Sequence, residues 1–148
     1  MTSVTVTALD GIVVADFSRV LAGPYATMML GDLGAQVHKV ERPGVGDDTR
    51  RWGPPYAENG QSTYFQSINR NKDCLALDLH SDTGVTQARE LIRHSDVVIE
   101  NFKTGTMARL GLDYDTLAVD QPQLVYCSIT GFGAKEGRDL PGYDLLVQ

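Results

Sequence analysis

No apolar run approaches the roughly 18 residues that a membrane helix requires. The N-terminus, MTSVTVTALDG, has neither a basic stretch nor an apolar core of signal-peptide length. Both absences point to a cytoplasmic protein that does not enter a membrane. Positive charge is in deficit, since 13 Lys and Arg face 19 Asp and Glu for a formal net charge of -6. That balance works against nucleic acid or an anionic surface as partner. A phosphorylated small molecule stays admissible, because a few well-placed cations can serve one phosphate. Cysteine is scarce: Cys74 and Cys127 stand far apart, each in an apolar run, and are expected as buried, reduced thiols in strands. A catalytic Cys127 would need an activating histidine, and none lies nearby in sequence. His38, His80 and His94 lack metal-ligand spacing and no Cys/His cluster accompanies them, so no metal is expected. Asp47 and Asp48 could hold a cation, but the start of a loop structure before Thr49 and Arg50 explains them equally well. Neither a G-x-G-x-x-G after the first strand nor a G-x-x-x-x-G-K-[ST] occurs, which removes the main support for dinucleotide or P-loop binding.

What is present is ordinary soluble-domain material: 42% apolar and 22% charged residues in 148, about one domain. Strand-length apolar runs recur at Gly11–Phe17, Gln36–Glu41, Cys74–Leu79, Asp96–Phe102 and Gln123–Ile129. Continuous runs of this kind suit strands covered on both faces. Between them the period changes to that of helices. A first helix is predicted over Ala22–Leu33, with Ala22, Ala26, Met29, Leu30 and Leu33 on its apolar stripe and Gly34 as its stop. A second spans Asp82–His94 behind the N-cap Ser81 and presents Val85, Ala88, Leu91 and Ile92. A short pair follows at Thr104–Leu110 and Tyr114–Val119, and Gly60–Asn71 holds another helix. This alternation predicts an α/β fold, a Rossmann-like, doubly wound and largely parallel sheet of order 3-2-1-4-5. Glu41–Gly60, rich in Gly, Pro and Asp, reads as a long functional loop.

In an open α/β sheet, ligands bind outside the carboxyl ends of the strands. Those ends carry Ser18 to Pro24, Glu41 to Asp48, His80, Asn101 to Lys103, and Gly131 to Gly133. Arg19, Arg42 and Lys103, with Arg109 one turn later, therefore belong to one edge. Guanidinium groups match phosphate oxygens with paired, charge-assisted bonds. The small residues Ala22 and Gly23 add the positive end of a helix. Solvated loop cations are the plain alternative for any one of these side chains; their convergence favours a phosphorylated nucleotide.

Six segments in order, Asp16–Pro24, Leu33–Pro43, Gly46–Arg50, Asn69–Lys72, Val98–Phe102, and Ser128–Gly133 with Pro141–Asp144, resemble the family III CoA-transferases, which include formyl-CoA transferases, carnitine CoA-transferases and α-methylacyl-CoA racemases. The resemblance covers almost the whole chain. It implies a Rossmann-like large domain whose strand ends hold CoA, in an interlocked homodimer. Carried over, the CoA contacts are Arg19, Leu21 and Ala22, then Arg42, then Leu77, Asp78, Leu79 and His80. Asn101, Phe102, Lys103 and Arg109 follow, and Pro141, Gly142, Tyr143 and Asp144 complete the set. Leu21 stands where a better-known transferase has Gln, and His80 where it has Lys. No tightly bound cofactor is implied; CoA and acyl-CoA are substrates, with a small carboxylic acid as acceptor. The family's nucleophile is an aspartate that forms an acyl anhydride and then an aspartyl-CoA thioester. The resemblance puts it after Gln148, with Asp144 only lining the CoA site, so no catalytic residue is expected within residues 1–148. Racemases of the family have His where Tyr143 stands, which favours transfer over epimerisation. The apolar element Pro141–Gln148 stops without a cap or polar tail, the pattern of an interrupted element. A catalytically inactive fragment or CoA-binding half, lacking the smaller domain, is the non-enzymatic alternative.

Overall fold

Short apolar segments, most of them rich in β-branched residues, become strands here. In the computed structural model, which describes residues 7–143, these are β1 (Val13–Asp16), β2 (Gln36–Glu41), β3 (Lys72–Ala76), β4 (Val97–Glu100) and β5 (Val125–Ser128). They form one sheet of order β3-β2-β1-β4-β5. Its four pairings are all parallel, so the strands share one carboxyl edge and the expected order holds. Register sets Asp16 beside Lys39 and Lys39 beside Cys74.

The crossovers are α1 (Ala22–Asp32), α2 (Thr63–Ile68), α3 (Asp82–Arg93), α4 (Thr106–Arg109) and α5 (Tyr114–Leu117). Ser81 caps α3 by accepting from the Gly84 N–H, and Ser62 caps α2 through Phe65. Such caps satisfy donors that the first helical turn leaves unpaired. Successive strand residues face opposite sides of the sheet. Ala15, Phe17 and Val98 accordingly pack under α3 with Ala88 and Ile92, while Val14, Val37 and Ile99 form the other core. Each such Val, Ile or Phe side chain contributes about 1.5–3 kcal/mol on full burial, and an alanine methyl correspondingly less.

Four expectations need correction. The buried stripe of α1 is Gly23, Pro24, Thr27 and Met28, whereas Met29 and Leu33 are 49% and 48% exposed. Close approach selects a small residue at the start of the helix, where a Cβ on Gly23 would run into the Ser18 side chain of the turn after β1, while Met28 further along is buried. Second, β3 and β5 are not covered on both faces; they are the sheet's edges, and most of their residues are exposed. Third, Cys74 and Cys127, on those edge strands, are therefore exposed thiols. Strand β3 also begins two residues early, at Lys72, whose ammonium is anchored beneath the sheet edge.

Candidate functional site

At the carboxyl edge the polar residues of β1 and β2 have turned inward. Asp16 is fully buried; its carboxylate accepts from the Ser18 N–H (2.9 Å) and hydroxyl, from Thr27 Oγ1 (2.6 Å) and from Lys72 Nζ (3.1 Å). Lys72 also donates to the Pro24 carbonyl and to Asn69 Oδ1. Burial pulls its pKa down to about 8; Asp16 opposes that shift and Lys39 adds to it. Lys39, likewise fully buried, pairs with Asp47 at 2.9 Å and donates to the Ser18 carbonyl at 2.8 Å. Burial works against an ionised Asp47, but Lys39 and Thr49 outweigh it and hold the carboxyl below its ordinary value. Removing one member of a buried pair like this costs about 3–5 kcal/mol.

Glu41 ends β2 and binds Arg50 through both carboxylate oxygens at 2.6 Å. It also accepts from the Asp47 N–H at 2.8 Å. The Arg50 guanidinium lies 3.9 Å from the Phe65 ring centre. These bonds fold the loop after β2 into a 3₁₀ turn over Asp48–Arg51. Asp47 and Asp48 are thereby committed to Lys39 and Arg42, and among the described residues no group of three His, Cys, Asp or Glu side chains is placed to hold a metal.

Of the residues expected to meet a ligand, Arg19 and Asn101 are joined directly. Asn101 accepts from the Arg19 N–H at 2.8 Å and donates to its carbonyl at 2.7 Å. The Arg19 guanidinium then lies 5.0 Å from the Phe102 ring centre, so three of the expected residues form one unit across β1 and β4. Leu21 and Ala22 open α1 and are exposed. Arg42 makes an exposed ion pair with Asp48. It borders an open cleft of about 270 Å³ lined also by Gly44, Gly46, Arg50, Cys74 and Ala76. Lys103 pairs with Asp139 at 3.6 Å, also in solvent. Exposed pairs contribute little, so an incoming phosphate can displace either carboxylate. Arg109 donates to Thr106 within α4.

Leu77 and Leu79 pack on the core, while Asp78 and His80 face solvent in a turn where Asp78 accepts the His80 N–H. Pro141, Gly142 and Tyr143 are exposed. Gly142 lies so close to Gly131 that a Cβ on Gly131 would collide with its backbone, bringing the two expected loops together. Asp144 lies outside the described residues. Arg42, Lys103 and Arg109 each have a different partner, Asp48, Asp139 and Thr106. Sequence reasoning did not single out Lys39, Lys72 or Asp16. For Lys39 and Asp16 the signal was a charge inside an apolar strand run, which cannot stay buried unpaired; Lys72 lay outside the predicted strand and gave no such signal. It also missed the cavity of about 420 Å³ walled by Trp52, Pro54, Pro55 and Tyr64.

Comparison with known proteins gives a consistent picture. The family model described as CoA-transferase family III matches residues 9–148. The chain is 52% identical over 125 residues to the succinyl-CoA:glutarate CoA-transferase of Mus musculus, covering 84% of this chain and 28% of that protein. It is 50% identical over 146 residues to the succinate–glutarate CoA-transferase of Agrobacterium fabrum, covering 95% of this chain and 36% of that protein. Among solved structures, a CAIB/BAIF family protein from Brucella suis superposes with a TM-score of 0.90 at 46% identity, over 96% of this chain and 38% of that one. The chain thus spans well under half the length of the relatives it matches.

Proposed function

Because this chain belongs to CoA-transferase family III, we propose that its carboxyl edge binds the CoA part of an acyl-CoA, in an enzyme that moves CoA from one carboxylic acid to another. The observation that carries this reading is the fixed turn after β1. Asn101 clamps the backbone of Arg19 from the end of β4, and the parallel sheet brings Arg42 and Lys103 to the same edge. With its backbone clamped and its guanidinium over the Phe102 ring, Arg19 has less freedom to lose on meeting a phosphate. Arg19, Leu21, Ala22 and Arg42 are assigned to the first contacts. Leu77 to His80, Asn101 to Lys103, Arg109 and Pro141 to Asp144 make the others.

Succinyl-CoA is the donor and glutarate the acceptor that the similar proteins' names suggest, so the enzyme's substrates are dicarboxylic acids and their thioesters. Transfer would run through an aspartate outside residues 1–148. Its carboxylate attacks the thioester carbonyl, the C–S bond breaks, and CoA thiolate leaves an acyl anhydride. The thiolate then attacks the aspartyl carbonyl, releasing the donor acid and leaving aspartyl-CoA for the same exchange with the acceptor. No described helix is long and apolar enough to cross a membrane, and the reading places the enzyme in the cytoplasm as a homodimer. The test is calorimetric titration of the chain with CoA, NAD and ATP. Binding of CoA with none of NAD or ATP is expected; NAD or ATP bound as tightly as CoA would overturn the reading.

A further inference from the structure

Val20 has φ of 69°, in the left-handed region that a β-branched residue scarcely ever occupies. It stands between Arg19 and Leu21, and its conformation sets the direction in which those two leave the turn. The surroundings that hold it come from three elements. Asn101 bonds both backbone groups of Arg19. Lys39 donates to the Ser18 carbonyl at 2.8 Å. Asp47 accepts from the Val20 N–H itself at 3.3 Å. The same Asp47 oxygen pairs with Lys39, while its other oxygen accepts from the N–H and hydroxyl of Thr49 at 3.0 and 2.8 Å. Its own N–H is fixed by Glu41. Asp47 is thus locked from the loop that carries Arg42 and reaches across to the turn that carries Arg19.

We propose that Asp47 is a positioning residue, which keeps Val20 in its strained conformation and so ties the Arg19 turn to the Arg42 loop; the consequence for CoA rests on the function proposed above. A strained residue persists only where its surroundings over-determine it. Loss of the Asp47 carboxylate should let Val20 relax, and the turn with it. Glycine adopts a positive φ without this penalty, so the dependence on Asp47 should fade once Val20 is replaced by Gly.

The test compares wild type, Asp47→Asn, Val20→Gly and the double variant. Two measurements are made on each: calorimetric CoA affinity, and amide hydrogen exchange over residues 18–21 in the ligand-free chain. Asp47→Asn should raise the Kd for CoA about tenfold, the scale of one strained residue. It should also speed exchange in this turn relative to α3. In the Val20→Gly background the Asn substitution should raise Kd no more than about twofold. An equal penalty in both backgrounds would make Asp47 a merely stabilising residue and overturn the proposal. If Asp47→Asn does not fold, Lys39→Met with Asp47→Asn removes both buried charges and enters the same comparison. A wild type that binds no CoA would sink the proposed function alone. The exchange measurement would still decide the role of Asp47, with unchanged exchange at residues 18–21 overturning it.

Discussion

At the level of single residues, the candidate site divides into cations that face solvent and charges that are buried. The exposed set was legible in the sequence. Arg19, which is half-buried, and the exposed Arg42 and Lys103 follow predicted strands, and a parallel sheet carries such residues to one edge. Arg42 is held only by an exposed pair with Asp48, so its cost of redirection to a phosphate is small. A charge-assisted hydrogen bond contributes about 1.5–3 kcal/mol. Arg42→Ala should therefore weaken CoA binding roughly ten- to a hundredfold in a calorimetric titration, with unfolding stability nearly unchanged. The buried set was legible only in part: a charge within an apolar run, as at Lys39, calls for a partner, but nothing in the run around Lys72 states that its ammonium will lie against Asp16 and the Pro24 carbonyl. Lys72 has a different signature. Its pKa is lowered to about 8, well under the ordinary lysine value of 10.5. Between those values the unfolded chain holds more protons on this residue than the folded one, so its contribution makes stability rise with pH across that window. Urea unfolding from pH 7.5 to 10 should show wild type gaining stability relative to Lys72→Met. A pH-independent difference would show that Lys72 titrates normally.

Among elements, strand order and the approximate places of the helices followed from the spacing of apolar runs, and the capping serines of α2 and α3 sat where helix starts require them. The facing of α1 did not follow. Of the expected stripe Leu30 does pack, against the cluster of Val14, Val37 and Ile99, but Met29 and Leu33 stay exposed and the buried residues are Gly23, Pro24, Thr27 and Met28. The edge positions of β3 and β5 were implicit in the expected order, yet their apolar runs still read as covered on both faces, since an apolar run does not say whether both of its faces are buried. The same close-approach rule governs α3. A Cβ at Gly84, in the first turn of that helix, would overlap the backbone of Asp78. Alanine is the better helix former by about 1 kcal/mol, but overpacking against backbone costs typically 1–3 kcal/mol. Gly84→Ala should accordingly destabilise the chain on balance, by up to about 2 kcal/mol, as a lower urea midpoint. It should also displace the Leu77–His80 turn, seen as faster hydrogen exchange there. An increased midpoint would mean that the turn moves aside freely.

For the molecule as a whole, ligand binding and chemistry should come apart. Covalent acyl transfer needs a carboxylate free to reach a thioester carbonyl. Next to the strand ends, the described carboxylates are already committed to holding the fold. Asp16 serves Lys72 and Thr27, Glu41 serves Arg50, and Asp47 serves Lys39. Glu100 accepts from Ser128 and the Phe102 N–H. Releasing any of these buried groups would leave its partner unpaired, at a cost of several kcal/mol. Asp48 and Asp78 are exposed; Asp78 closes its own turn, and Asp48, if a phosphate took Arg42, would stand at the phosphate end of CoA, a pantetheine arm away from the thioester. Residues 1–148 should therefore bind CoA and yet transfer none. The check is incubation of this chain with succinyl-CoA and glutarate, followed by intact-mass measurement and hydroxylamine trapping of any anhydride. No adduct and no glutaryl-CoA are expected, whereas a protein that continues this chain to the length of its relatives should yield both. An acyl or CoA adduct on a carboxylate within residues 1–148, with turnover lost on its change to the amide, would locate the nucleophile inside this chain. The committed carboxylates would then have to be mobile enough to leave their partners, which hydrogen exchange at the Ser18, Asp47 and Phe102 amides would reveal.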